Sequence, residues 1–380
     1  MYRDHAVAGG SLRVGEALTL GLRRLEVDAR ACFAYGTPGP LGARLDATVY
    51  LGLSSSRDVK RWPLARSLLK RFAPDVVHYI DPVIWMQAAT LLIPVPTVVH
   101  IHGGIPAQKR LGAIDHARWA WQRFRADQFV CITEGARRSM TEAGLLPASK
   151  TRAVYNSVDF EWFQHRPSRD EARRRLGLPQ QGNVAGMVCR LFEAKGCDDF
   201  LSLLLRLGDD WHGLLVGDGP ERNALESRTA ALGLRDRVHF VGSIDDVRPA
   251  YAAMDIFLFL SLYEPFGLST AEAMASRVPV FGLRGGGEYD EPDNPLLTAD
   301  NASLLWGRPR RRVGYGQVED PVALDELAQL IKDRLSDSKS LSVIVDTAQA
   351  HVRERFSVDA QVRNMRAIYR TMSPSFGPST

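Results

Sequence analysis

Two successive series of short apolar runs, each run separated from the next by a helical pattern, constrain this chain more than any other feature. The first series is DVVHYI (75–80), TVVHIH (97–102), QFVCIT (128–133) and TRAVYN (151–156). The second is NVAGMVCR (183–190), WHGLLVGDG (211–219), RVHFVGS (237–243), DIFLFLS (255–261) and VPVFGL (278–283). Runs this short, β-branched or apolar and ending at polar residues or glycine, predict strands. Stretches such as SLRVGEALTLGLRRLEV (11–27) and GARRSMTEAG (135–144) predict helices between them. Repeated strand–helix alternation predicts parallel sheets with helices on both faces. Two series predict two Rossmann-like α/β domains, residues 1–157 and 158–356, divided near 156–165. Ligands of open sheets of this kind bind beyond the carboxyl ends of the strands, so the site is expected in a cleft between the domains.

Length and composition agree: 380 residues, 45% hydrophobic and 24% charged, suit a soluble chain with two cores. The four cysteines, Cys32, Cys131, Cys189 and Cys197, form no CxxC or Cys/His pattern. A zinc site or disulfide frame is therefore not expected, and a reducing, cytoplasmic setting is. The opening MYRDHAVAGG has no apolar leader. The longest apolar run, 83–99, contains Gln87, Pro94 and Pro96, which favours a helix, a break and a strand over a membrane span.

Charge is uneven. Residues 1–155 hold 21 Lys and Arg against 12 Asp and Glu, and the remainder hold 27 against 32. A basic first half suggests an anionic neighbour. Its cations concentrate in RDVKRWPLARSLLKRF (57–72) and KRLGAIDHARWAWQRFRAD (109–127), both interleaved with Trp, Phe and Leu. Such helices either lie on an anionic membrane surface or pack an apolar face on a sheet and solvate their charges. No nucleic-acid motif accompanies them.

The stretch SLYEPFGLSTAEAMASRVPVFG (261–282) places Glu264 and Glu272 on either side of a Phe-Gly turn between a strand and a helix. The first turn of a helix, here near Leu268 to Thr270, presents unpaired N–H groups and positive dipole character, which suits phosphate. Gly267 permits close backbone approach; Glu264 and Glu272 can accept hydrogen bonds from sugar and ribose hydroxyls. The alternative is that Ser269 or Thr270 caps the helix and the glutamates merely favour its positive end. In VCRLFEAKGCDDF (188–200), Arg190 and Lys195 follow a strand closely enough to clamp a diphosphate, or form an ordinary solvated pair. The Gly-rich stretches LLVGDGPERNAL (214–225) and LRGGGE (283–288) are weak signals on their own.

Taken together, the order and spacing of these stretches resemble the family-4 retaining glycosyltransferases of the GT-B fold, from about Gly9 to about Tyr369. The resemblance is strongest at the Glu264–Glu272 signature and is supported by CRLFEAKG, VGDGPER, RVHFVGS and YNSVDFEWF. It implies two Rossmann-like domains facing a central cleft, with a C-terminal helix at about 357–372 packing back on the first. It implies a nucleotide-sugar donor, UDP- or GDP-linked, and neither metal nor cofactor. Arg190 and Lys195 match the pair on the donor diphosphate, Glu272 the ribose ligand, and Glu264 the carboxylate near the donor sugar. The backbone of Phe266, Gly267 and Leu268 would line sugar and phosphate. His102 matches a histidine near the reacting sugar, though a strand-end histidine bonded to backbone is the alternative. Gly9 and Gly10 match the glycine loop of the first domain.

Two departures stand out: Cys189 replaces the usual Gly before the arginine, and Ser157 the usual Gly after Asn156, where a Cβ would disfavour a tight turn. The residues before Gly9 are also too few and too polar to form a buried first strand, which leads to the expectation that the natural chain starts upstream of Met1. The expected activity is transfer of a sugar to a glycan or lipid-linked acceptor, in envelope polysaccharide or glycolipid synthesis, by a cytoplasmic enzyme peripheral to the membrane. Nucleotide-sugar epimerases share the two-domain plan but not the Arg190/Lys195 with Glu264/Glu272 set. A non-catalytic nucleotide-sugar-binding partner is the other reading, and loss of those charges would be its mark.

Overall fold

The structure is a computed structural model. It describes residues 10–35, 45, 49–53, 62–81, 87–91, 93–103, 112–261, 264–283, 296–305, 312–313, 317–318 and 321–374. The chain divides into two compact units, Met1–Ser157 with Phe356–Thr380, and Val158–Arg355.

The first unit holds a parallel pair, β1 (Cys32–Tyr35) and β2 (Val49–Leu53), and a four-stranded parallel sheet in the order β3 (Val77–Ile80), β4 (Thr97–Ile101), β5 (Gln128–Cys131), β6 (Thr151–Ala153). The strands are shorter than their apolar runs because the ladder limits them. Val77 N–H donates to the Pro96 carbonyl at 2.9 Å, and Pro96 has no N–H to return, so pairing begins there. At the other end Val154 N–H reaches Cys131 O, the last residue of β5. The sheet is buried on both faces, as parallel sheets require. Val98 and Val130 pack with Val358, Val362 and Met365 on one face. Their chain neighbours Val99 and Phe129 pack with Tyr79, Ala136 and Met140 on the other.

The C-terminal helix Val358–Met372 belongs to this unit. Ser357 caps it, accepting from Ala360 N–H. Its apolar stripe meets the helix Gly10–Arg24 at Gly21, where an added Cβ would sit 2.6 Å from Val358 Cγ1 and 2.7 Å from Val362 Cγ2. Two polar contacts fix it: Ser157 Oγ donates to Gln361 Oε1 at 2.8 Å, and Tyr369 Oη lies 2.7 Å from His78 Nδ1. Ser157 is therefore not a weakened turn. It is buried, is not among the positive-φ residues, and its hydroxyl holds the returning helix. The expectation about a first strand falls on residues outside the described ones. Among the described residues, a cavity of about 600 Å³ lies beside β1, β2 and β3, lined in part by Leu18, Cys32, Val49, Val77, His78 and Tyr369.

The second unit is built on a six-stranded parallel sheet. Its strands are β7 (Asn183–Val188), β8 (Trp211–Val216), β9 (Val238–Gly242), β10 (Ile256–Phe259), β11 (Val280–Leu283) and β12 (Ser303–Leu305). They lie in the order β12-β11-β10-β7-β8-β9. The order reverses between β7 and β10, the position at which a doubly wound sheet opens a crevice for its ligand. The amino ends of these two strands are locked together. Asp255 Oδ2 accepts from Val184 N–H at 2.7 Å and from Arg173 Nη2 at 2.7 Å, and Arg173, wholly buried, also donates to Ala253 O and Gly182 O. Burial lowers the Arg173 pKa and the Asp255 carboxylate opposes that shift. A short antiparallel pair, β13 (Arg312–Val313) and β14 (Gln317–Val318), lies outside the main sheet.

Candidate active site

The carboxyl ends of β7 and β10 carry most of the residues singled out from the sequence. β7 ends at Val188, and Arg190 follows, exposed. The chain then makes one 3₁₀ turn, Glu193–Lys195, and passes through Gly196 into the helix Cys197–Leu207. Three glycines hold this loop against its neighbours. A Cβ on Gly217 would fall 1.9 Å from Cys189 O, on Gly219 2.1 Å from Leu191 O, and on Gly196 2.2 Å from Leu260 O. Gly196 and Gly217 also have φ of +71° and +128°, which L side chains avoid. The close approach lets Leu191 N–H reach Asp218 O at 3.0 Å. The VGDG stretch, weak as a sequence signal, is thus the seat of the loop after β7.

The approach of Gly196 to Leu260 carries Lys195 to the end of β10, where its Nζ donates to Glu264 Oε2 in a short ion pair. The two side chains are 16% and 17% exposed. Burial works to lower the Lys195 pKa, but the Glu264 charge and hydrogen bond outweigh it and the net shift is upward, so the ammonium stays charged across the physiological range. Beyond Glu264, Phe266 is buried and Gly267 takes the left-handed conformation at φ +91° as the N-cap of the helix Leu268–Ala275. Among the described residues, no side-chain cap hydrogen bond is made at this helix start, and Ser269 and Thr270 lie inside the helix. The alternative role read for Ser269 or Thr270 therefore does not hold: the turn is shaped by Gly267, whose Cα hydrogen replaces a side chain. Glu272, one turn in and 7% exposed, lies against Tyr251, whose hydroxyl is 2.7 Å from Glu272 Oε2 and 3.0 Å from Ser269 O. Tyr251 escaped the sequence reading, because a lone tyrosine before the apolar strand DIFLFLS reads as core.

His102 and Gly10 belong to the first unit. Gly10 begins the helix Gly10–Arg24; Gly9 lies outside the described residues, as do 284–288 of LRGGGE. His102 follows β4. Its backbone N–H makes a long, 3.4 Å contact with Asp81 Oδ1, its ring centroid is 4.5 Å from that of His100, and its Nε2 is buried without a hydrogen-bond partner. Among the described residues, no hydrogen bond joins its ring to backbone.

His78, His100 and His102 form a row, His100 buried and the outer two half-buried, with ring centroids 5.2 Å apart between His78 and His100. Burial lowers all three pKa values, that of His78 to about 3, with Asp81 opposing at His102. Their folded state is neutral, so the unfolded chain binds more protons below about pH 6.5 and stability is lost as pH falls from there. At pH 5 His78 alone removes about 2 kcal/mol. The melting temperature is expected to drop steeply between pH 6.5 and pH 5 in a calorimetric series. A flat profile over that range would show that the row titrates normally.

Among the described residues, no group of three His, Cys, Asp or Glu side chains is placed to hold a metal ion, and no helix is long and apolar enough to cross a membrane.

A cation–carboxylate pair and a helix start at the crossover of a parallel sheet are compatible with an anionic ligand, and the comparisons with known proteins say which family the chain belongs to. Residues 168–291 match the model of glycosyl transferases group 1, and residues 8–162 that of glycosyltransferase family 4. A 2-deoxystreptamine glucosyltransferase of Streptomyces kanamyceticus is 29% identical over 87% of this chain and 91% of its own. A lipopolysaccharide core glycosyltransferase of Rhizobium meliloti is 28% identical over 76% of this chain and 78% of its own. The crystal structure of Anabaena HepE with UDP and glucose superposes with a TM-score of 0.78 at 20% identity, covering 97% of this chain and 98% of HepE. WaaG, a glycosyltransferase of lipopolysaccharide biosynthesis, gives a TM-score of 0.67 at 16% identity, covering 97% and 98%. The chain belongs to the family-4 retaining glycosyltransferases and has the GT-B fold. It is an enzyme that transfers a sugar from a nucleotide-sugar.

Proposed function

We propose that the second unit binds the donor at the carboxyl ends of β7 and β10, with Arg190 and Lys195 on the diphosphate. Glu272 takes the ribose hydroxyls, Glu264 the donor sugar, and the backbone of Phe266, Gly267 and Leu268 lines sugar and phosphate. His102, with Gly9 and Gly10, serves the reacting sugar from the first unit. The observation that carries this reading is the Lys195–Glu264 pair at the point where strand order reverses. A permanently charged ammonium there needs no reorganisation to meet the charge that grows on the leaving diphosphate. The ring-to-phosphate C–O bond breaks as the acceptor oxygen bonds the same carbon from the same face. The acceptor proton passes to the departing phosphate oxygen, which releases a nucleoside diphosphate and retains configuration.

The donor is a UDP- or GDP-sugar; the HepE structures with UDP-glucose and with UDP favour the first. The acceptor is a glycan or lipid-linked saccharide of envelope polysaccharide or glycolipid synthesis, in line with relatives that act in lipopolysaccharide core assembly. The basic helix Ala113–Arg125 supports contact with an anionic membrane from the cytoplasmic side: Arg118 and Arg123 are exposed, with Ile114 78% and Phe124 73% exposed beside them. The other basic helix, Trp62–Phe72, packs Trp62, Leu68 and Leu69 on the same core that takes Trp119 of Ala113–Arg125. The test is calorimetric titration with UDP, GDP and ADP. One of the three is expected to bind selectively, at least tenfold more weakly to Arg190→Ala, with turnover of that variant down about 10²–10³-fold. Failure of a folded sample to bind any of them would overturn the donor assignment.

A further inference from the structure

Cys189 and Cys197 bracket the loop that carries Arg190 and Lys195. Their sulfurs lie 3.9 Å apart, in hydrogen-bonding contact. Cys197 is 5% exposed, heads the helix Cys197–Leu207 and packs in the main core of the unit. Gly196, which precedes it, is seated on Leu260 O. Cys189 is half-buried and follows β7, its N–H donating to Val216 O at 2.9 Å. The Lys195 ammonium interacts electrostatically with both sulfurs, but at Cys197 the hydrogen bond to Cys189 and burial outweigh it and the thiol is raised.

We propose that Cys189 and Cys197 are a peroxide-modifiable thiol pair whose disulfide closes a ring over residues 189–197 and detunes the anion site of that loop. In the step, the Cys189 thiolate attacks one oxygen of hydrogen peroxide, forming a sulfenic acid and releasing hydroxide. Cys197 sulfur then attacks the Cys189 sulfur, the S–O bond breaks, and hydroxide leaves. The thiol protons convert both hydroxides to water, so two thiols are oxidised as one peroxide is reduced. A disulfide needs a sulfur separation of about 2 Å, so the pair must close by roughly 2 Å. Cys197 is pinned by the core and by Gly196. Cys189 is held in turn by its N–H bond to Val216 O at 2.9 Å and by the seat of Gly217 against its carbonyl, so closure is taken up by the two side chains and the loop between them, and Arg190 moves with that loop. Burial pushes Cys32 and Cys131 up to about 11 and 12, and the hydrogen bond to Cys189, with burial, raises Cys197 as well; what sets the pair apart is the 3.9 Å contact of its sulfurs.

The effect on ligand binding rests on the donor-site reading; formation of the bond does not. Reduced protein is treated with stoichiometric hydrogen peroxide, alkylated and mapped by mass spectrometry, and UDP, GDP and ADP are titrated before and after. The expected result is loss of two mass units, a Cys189–Cys197 cross-link with Cys32 and Cys131 still alkylated, and at least tenfold weaker binding of the preferred nucleotide, restored by dithiothreitol. Cys189→Ala and Cys197→Ala should each bind as the reduced protein does and keep that affinity after peroxide. Progress of Cys189 to a sulfinic acid with Cys197 still alkylatable would overturn the pair. So would cross-links to Cys32 or Cys131. A clean cross-link with unchanged nucleotide affinity would overturn the detuning. If reduced protein binds no nucleotide, the donor reading fails, and the cross-link map alone decides whether the thiols form a pair.

Discussion

Lys195→Ala should lower turnover about 10³-fold while leaving the protein folded. Two effects act together. The substitution removes a preorganised cation from the place where leaving-group charge develops. It also strips Glu264 of its ion-pair partner, leaving a half-buried carboxylate facing an incoming diphosphate. Lys195→Arg should recover only part of the rate, because a planar guanidinium does not occupy the position of a compact ammonium. The double variant Lys195→Ala with Glu264→Gln should bind nucleotide better than the single one, since the uncompensated negative charge is gone. Nucleoside diphosphate release, measured with donor and acceptor, gives the rate, and calorimetry gives the binding. A fall in turnover below tenfold for Lys195→Ala would remove the lysine from the charge-stabilising role. Equal binding by the single and double variants would show that Glu264 does not oppose the diphosphate.

Gly217→Ala is expected to be the most damaging single methyl group in the second unit. Its Cβ would sit 1.9 Å from Cys189 O, at a φ of +128°. The obstacle is backbone at the end of a central strand, so it cannot rotate away as a side chain would. Steric overlap and left-handed strain together should cost about 3 kcal/mol or more, and should displace the Arg190 loop even in molecules that fold. Gly233→Ala is the matched control: its φ is +70° but nothing lies within 4 Å of the added Cβ, so only the conformational cost of about 1 kcal/mol applies. Thermal or urea unfolding of the two variants separates the effects. Equal destabilisation would mean that the close loop packing contributes nothing beyond φ.

Much of the fold was legible because local chemistry and fold agree. The runs at 97–102, 183–190 and 255–261 are continuous and apolar, as strands covered on both faces must be, and each appears in the structure slightly trimmed. The trimming was not legible, since a strand ends where its neighbour stops offering hydrogen bonds, as Pro96 and Cys131 show. β12 went unread because a three-residue edge strand has too little pattern to stand out. At the site, the spacing of Glu264, Gly267 and Glu272 about a strand–helix turn could be seen in one dimension. That Gly267, rather than Ser269 or Thr270, shapes the helix start could not, because capping depends on which φ the turn adopts.

By itself, the amino-acid sequence determined the class of the protein, the strand–helix alternation of two α/β units, and the set of charged residues at the strand ends. These depend on periodicity and on chemistry carried within a few residues of one another. Only the tertiary structure decided which of those residues meet. Lys195 and Glu264 are 69 positions apart, and they pair because Gly196 lets one loop rest on the backbone of another. Glu272 meets Tyr251 from a neighbouring helix, and Cys189 meets Cys197 across the turn of one loop. Contacts of that kind are set by strand order and by the space a missing side chain leaves, neither of which is written in the spacing of residues along the chain.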